Sequence, residues 1–480
     1  MYRMKKTKSI LIFLLLIGLF FNSSAQELLS YQKIQTLTKE QIKATYFIPA
    51  EYDVDVYKII YVTKAVDMSP DTASGTFCSA VDTNSLFPVM IYDHGTVKDR
   101  HDVPSEGSSE LSFVIGISSL GFNCVAPDYI GLGISKGIHP YIHPESEANA
   151  GIDLMYAVKN MEEAEKVHFN NQIFVTGYSQ GGHAAMATVR EMQNTYGLKV
   201  TAAVPMSGPY SISKEMRNFT LGDEEYYFCG YIGSLMLSAK LAYPDLLGGL
   251  EMEDIFKPAY AVIVRQFEKE KIDLSKMNEG MITLLSANGG KVLPKNMFKP
   301  EIINGIFNDE NNPVYKALKR MDVCDWKPEM PLKMLYCKAD DQVTYRNSVY
   351  ADSLMKTLGA VNVSSQDVFS FGNHGQCILP AVQNMMDFFK LYQQIGSLTS
   401  SEDMEISGID IYPNPANEYL RISGLKNNGA SVLITDISGN EIIYKEINID
   451  DSIDISNLSN GIYFVIISTS DKRITRKLVK

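Results

Sequence analysis

Five residues, Gly177-Tyr178-Ser179-Gln180-Gly181, constrain this chain more than any others. They follow an apolar run, Ile173 to Thr176, and precede a small-residue helical pattern from Gly182 to Met192. The order is strand, sharp turn, helix. A turn that tight leaves no room for a Cβ at its flanks, which accounts for the glycines. It lifts the central serine hydroxyl above the sheet and aims the next backbone N–H at the same point. A second stretch, Gly133-Ile134-Ser135-Lys136-Gly137, has the same spacing. His139-Pro140 and His143-Pro144 come next, and a helix does not run through those prolines. Ser135 is therefore expected in a loop.

Strand and helix signals alternate on both sides of the elbow. Strands are expected at Phe87 to Tyr92, Asn123 to Ala126, Gln172 to Thr176, Val200 to Val204, Leu332 to Cys337 and Val368 to Phe371. Helices are expected at Ser109 to Leu120, Glu147 to Glu165 and Pro380 to Tyr392. Nearly continuous apolar strands between helices predict an α/β fold with a mostly parallel sheet covered on both faces. Val54 to Lys64 and Gly75 to Val81 look like antiparallel strands ahead of it. Residues 210–325 interrupt the alternation with a helical, aromatic-rich pattern, and read as a cap inserted between two core strands.

The chain ends differently. Residues 396–407 are small and polar and read as a linker. Residues 408–480 carry short alternating strands separated by turn signals at 427–429, 438–440 and 459–461, a pattern for a small all-β sandwich. At the other end, Arg3, Lys5, Lys6 and Lys8 precede an apolar run, Ile10 to Phe21, and then Ser23-Ser24-Ala25. This predicts a signal peptide over 1–25, too short to span a bilayer, and a catalytic domain over 26–395. No other long apolar run follows, so no stable transmembrane segment is expected in the mature form. Asp and Glu outnumber Lys and Arg by 56 to 44, and no basic block lies beyond the N-terminal tip, which argues against nucleic acid as a partner. Six cysteines in an exported chain allow 15 disulfide pairings. None has metal-ligand spacing, and Cys124 and Cys337, inside apolar strand-like runs, read as buried reduced thiols.

Serine at neutral pH is a poor nucleophile and needs a base, which in turn needs an acid to fix its tautomer. Behind an elbow serine the chain order is serine, acid, histidine. Beyond the elbow helix one histidine remains, His374, expected in a loop after the last strand. After Leu332 to Cys337 stand two acids, Asp340 and Asp341; Asp340 fits the inward position of its turn better. Two backbone donors for the oxyanion are expected from Gln180 and from the His94-Gly95-Thr96 loop, with Thr96 as donor and His94 as its support. His183 is expected to pack or hydrogen bond beneath the sheet. His139-Pro140-Tyr141 fits pocket lining and a structural role equally.

On these residues, 50–395 resemble the α/β-hydrolase superfamily, and within it the secretory lipase family and related exported bacterial esterases. The motifs are His94-Gly95-Thr96, Asp128-Tyr129 with Gly131-Leu132-Gly133, His139-Pro140-Tyr141, Gly177 to Gly182, the Asp340 turn and His374-Gly375. The resemblance implies a Ser179–Asp340–His374 triad, a helical cap over an apolar acyl pocket, and hydrolysis of carboxylic esters without a cofactor. The C-terminal residues resemble the sorting domain of type IX secretion substrates through Tyr412-Pro413-Asn414-Pro415, Asp436-Ile437-Ser438-Gly439, Leu458 to Tyr463 and Lys477 to Lys480. That resemblance implies the type IX machinery as a partner and release or attachment at the outer surface. A serine peptidase or acyltransferase on the same fold, and a non-catalytic surface binding protein, are the alternative functions.

Overall fold

The computed structural model describes residues 26–398, 410–423, 425, 430–436, 440–448, 451–459, 461–469 and 473–480. The expected signal peptide, most of the linker, the turn at 427–429 and parts of the turns at 438–440 and 459–461 lie outside these residues. The chain divides into two compact units, the first ending at Gly396 and the second beginning at Ser397.

The first unit is built on one sheet. Its strands are β1 (Leu28–Leu37), β2 (Asp53–Lys64), β3 (Pro70–Val81), β4 (Ser85–Asp93), β5 (Asn123–Pro127), β6 (Phe169–Tyr178), β7 (Ala202–Met206), β8 (Leu332–Tyr336) and β9 (Val363–Asp367). They lie in the order β1-β2-β3-β5-β4-β6-β7-β8-β9. β1, β2 and β3 run antiparallel to their neighbours, and β5 to β9 are parallel. Side-chain alternation buries both faces. On β4, Val89 and Ile91 join one apolar cluster while Met90 and Tyr92 join another, and on β6 Ile173 and Val175 part from Phe174 in the same way.

Between β7 and β8 the chain leaves the sheet for a helical insert, with helices including Cys229–Ala242, Pro258–Glu268, Leu274–Leu285 and Pro313–Arg320. The insert has its own apolar core, in which Phe256, Met277, Met281 and Phe298 are buried. The second unit has two antiparallel sheets, one of Asp410–Tyr412, Tyr419–Ser423 and Ser452–Asp454, the other of Ala430–Thr435, Glu441–Ile447, Ile462–Ser468 and Arg473–Val479. Leu420, Ile422, Val432, Ile434, Val465 and Ile467 form a single core between them.

Four local expectations are corrected. The strand expected at Val368 to Phe371 lies earlier, at Val363–Asp367; it is an edge strand with polar residues, and buries little beyond Val363. The helix expected from Pro380 begins at His374, because Asn373 caps it: its side chain accepts from the Gln376 N–H, and Gln376 returns a bond to the Asn373 backbone. His374 is thus the first residue of a helix rather than part of a loop. The helix expected over Glu147 to Glu165 starts at Pro144, which suits a first turn, and stops at Lys159 before a short turn of helix at Glu162–Glu165. Cys337 is not a free thiol: it is bonded to Cys377, while Cys78, Cys124, Cys229 and Cys324 are free and buried.

Candidate active site

Ser179 sits between β6 and the helix Gln180–Asn194 with φ 61 and ψ −120, a left-handed conformation that costs a non-glycine residue energy. The turn tolerates this because its flanks are bare. A Cβ on Gly177 would meet the Gly181 carbonyl, and one on Gly181 would be driven into the Asp93 carbonyl. The Ser179 N–H donates to the Met206 carbonyl at 3.0 Å, which pins the elbow to the end of β7. Ser179 is half-buried, and among the described residues its hydroxyl has no hydrogen-bond partner. Ser135, in the rival motif, is buried in a loop and donates to Asp71 at 3.0 Å.

Asp340 and His374 come together. His374 Nδ1 lies 2.7 Å from Asp340 Oδ2, with both residues buried. Asp340 Oδ1 accepts the N–H groups of Gln342 and Val343, each at 2.9 Å, so its own turn fixes the carboxylate. Asp341 is exposed and serves differently: its Oδ1 accepts the His374 backbone N–H at 3.1 Å. The His374 ring packs 4.9 Å from that of Tyr178, the residue before Ser179. Tyr178 Oη also donates to the His374 carbonyl at 2.6 Å.

The loop after β4 reaches the same place. A Cβ built on Gly95 would lie 3.9 Å from Ser179 Cβ, so this backbone passes beside the nucleophile candidate. Among the described residues neither the Thr96 N–H nor the Gln180 N–H has an acceptor. Two free donors flanking a serine form the pattern an oxyanion requires. Both ring nitrogens of His94 face main-chain carbonyls, Gly95 at 2.7 Å and Asp128 at 3.3 Å, and the ring is fully buried.

Behind Gln180 lies a network that the sequence did not announce. Its side-chain Nε2 donates to Glu147 Oε1 at 2.8 Å and to His139 Nε2 at 2.7 Å. Glu147, fully buried, also accepts the Ile142 N–H at 3.1 Å and His183 Nδ1 at 2.8 Å. His183 Nε2 reaches the Met321 carbonyl at 2.9 Å, so this histidine bonds within the protein rather than facing a pocket. His139 Nδ1 donates to the Ile130 carbonyl at 2.9 Å, leaving Nε2 to accept. Burial holds His139 down to about 4, which keeps it neutral and keeps that acceptor available. The sequence signal for Glu147 was an acid inside an otherwise small and apolar helix face, a position where an unpaired carboxylate is costly.

Two cavities meet at Tyr141 and Gln180, and Ser179 lines one of them. One, about 720 Å³ including space open to solvent, is lined by Ser179 and by Met216, Leu221, Ile232, Leu235 and Met236 of the insert. The other, about 1220 Å³ on the same measure, is lined by Thr96, Lys98, Arg100, His101, Glu268 and Glu270 among others. Tyr141 and Gln180 border both. Tyr141 Oη and Thr96 Oγ1 share a hydrogen bond of 3.1 Å, making the tyrosine a wall between an apolar space and a charged one. Tyr231 Oη donates to Gln342 Oε1 at 3.0 Å, and Arg100 pairs with Glu270, so the insert is tied to the core on both sides.

Solved structures similar to this chain share its α/β arrangement. A Legionella pneumophila protein solved as a candidate hydrolase is 24% identical, with TM-score 0.68, over 76% of this chain and 98% of that one. The rice cell wall degrading esterase LipA from Xanthomonas oryzae is 24% identical, with TM-score 0.65, over 77% of this chain and 97% of that one. Candida antarctica lipase A in its closed state is 15% identical, with TM-score 0.57, over 77% and 84%. No curated protein sequence matches the chain. Residues 410–480 match the Secretion system C-terminal sorting domain family, which indicates export through the type IX system to the cell surface or beyond it. Among the described residues no helix is long and apolar enough to cross a membrane. The chain therefore joins a domain of the α/β-hydrolase fold to a secretion system C-terminal sorting domain.

Proposed function

We propose that this protein is an exported serine hydrolase of carboxylic esters. The observation that carries the reading is the 2.7 Å bond from His374 Nδ1 to Asp340 Oδ2, beside an elbow serine that opens on an apolar cavity. That bond leaves His374 Nε2 as the basic nitrogen. It takes the Ser179 proton as Oγ attacks the ester carbonyl, and the N–H groups of Thr96 and Gln180 hold the oxyanion. The C–O bond to the alcohol breaks, and the alcohol leaves with the proton from Nε2. Water, deprotonated by His374, then attacks the acyl-enzyme; the acyl bond to Oγ breaks, Nε2 returns the proton to Ser179 and the acid is released. Asp340 keeps the ring oriented throughout.

The lining suggests which part of the ester goes where. The aliphatic and methionine side chains around Ser179 suit the acyl chain, and the charged cavity past Tyr141 suits a polar alcohol portion. Names of similar proteins, an esterase and a lipase, agree with this chemistry. The test is hydrolysis of p-nitrophenyl esters of two to sixteen carbons by the mature protein and by Ser179→Ala. Turnover lost in the variant, with a chain-length optimum above acetate in the parent, is expected. No turnover on any ester by a folded parent that still reacts with an organophosphonate would move the reading to a peptidase or acyltransferase.

A further inference from the structure

We propose that the Cys337–Cys377 disulfide is a positioning element for the reaction centre, holding the His374 imidazole on Asp340. The proposal rests on the esterase reading for its kinetic test. Cys337 directly follows β8 and lies three residues before Asp340; Cys377 lies three residues after His374, on the first turn of the same helix. The bond closes a separation of 40 residues, and both cysteines are fully buried. It therefore brackets the acid and the base from outside, at equal chain distance from each.

The two partners need this unequally. Asp340 is fixed by the N–H groups of its own turn. His374 has no such turn: its ring goes where the start of its helix goes. The Asn373 capping box and Tyr178 Oη hold that start, but neither joins it to the acid segment, and Pro380 further along supplies no N–H to the Gln376 carbonyl. Other links from the acid segment to this region are the Ala339 N–H to the Ser370 carbonyl, 3.1 Å, and the His374 N–H to exposed Asp341, 3.1 Å. The covalent link joins the helix's first turn to the end of β8, a strand paired on both sides. Residues three apart share a helix face, so Cys377 anchors the same face that carries His374.

The experiment compares the full mature chain with Cys337→Ala/Cys377→Ala and with Cys78→Ala/Cys124→Ala. The second pair is a matched control: Cys78 and Cys124 are register partners across β3 and β5, free and fully buried. Sites are counted by organophosphonate titration, and kcat and KM are taken per site. Loss of the bracket is expected to lower kcat by about a hundredfold, the cost of a small misplacement, with KM within about twofold. The downfield proton resonance of a carboxylate-bound imidazole N–H should vanish with it. The control should keep both. Parent kcat and an intact resonance in a folded, disulfide-free variant would overturn the proposal. Should the variant not fold, the folded parent is reduced with a water-soluble phosphine. The phosphine takes oxygen from water, each sulfur gains a hydrogen, and the same readouts are made on the mass-verified reduced fraction. A parent inactive on esters would count against the esterase reading alone, since the resonance still decides the positioning.

Discussion

Ser179 and Gln180 rest on a buried polar network, whereas Asp340 and His374 rest on a turn, a helix start and a covalent link. The network around Glu147 links acid, amide and two imidazoles by hydrogen bonds, with Glu147 and His183 fully buried and His139 reaching the charged cavity. The histidine half is held at its base but opens outward, with Phe371 88% exposed three residues before His374. The difference shows how the candidate site divides its rigidity. The half carrying the strained backbone is backed by one interlinked set of buried hydrogen bonds, and the half carrying the candidate base is held by separate ties to Asp340, Asp341, Tyr178 and Cys337.

The comparison breaks most visibly at the chemistry itself. Ser179→Ala and His374→Ala should each lower kcat by about a millionfold, and the double variant should lose little more, because the residues act as a unit. Losses that add in the double variant in a steady-state ester assay would contradict that. Next comes the network. Glu147→Ala strands donors from Gln180, His183 and Ile142, and should cost about 3–5 kcal/mol in urea unfolding. Removing the Cys337–Cys377 bond should cost about 4 kcal/mol by chain entropy, a similar sum. A disulfide variant as stable as its parent would say that the histidine half gains no stability from its tether.

Smaller effects sharpen the contrast. Burial lowers His139 from an ordinary 6.5 to about 4, so between those values the unfolded chain holds the extra proton. Stability is then full above pH 6.5 and falls as the pH drops toward 4, on the order of 2 kcal/mol for a ring still partly solvated. Urea midpoints across that range should slope in the parent and flatten in His139→Gln. Tyr141→Phe removes the bond to Thr96 but keeps the wall, and should lower kcat about tenfold or less. Tyr141→Ala should instead broaden the acyl-length profile, which the p-nitrophenyl series reads directly.

Much of this was legible in the chain. The elbow announced itself because glycine is forced at its flanks, and the alternating apolar runs marked the strands from β4 to β8. Asp340 and His374 were singled out by chain order and by the scarcity of histidines after residue 183, and the structure brings the two side chains together. The misses share a cause: they are decided by tertiary contact. β9 has almost no apolar signature, since it is an edge strand closed by backbone bonds. β1 is mostly exposed and carries little alternation. The helix Lys39–Tyr46 did leave a sign, the Thr38 to Gln41 capping box. Glu147 was marked only by its place on a small, apolar helix face, with nothing to name its partners, and the Cys337–Cys377 pairing was one of 15 that the sequence permitted.

Tyr141, standing between the two cavities, has a consequence for how turnover ends. On the proposed reading the acyl chain lies on one side of the ring and the alcohol on the other, so the alcohol would leave past one face while the acyl group stays bonded to Ser179 on the other. Added product alcohol should therefore intercept the acyl-enzyme without displacing the acid. Product-inhibition patterns that differ between acid and alcohol in the parent, and converge in Tyr141→Ala, would be the kinetic trace of that division.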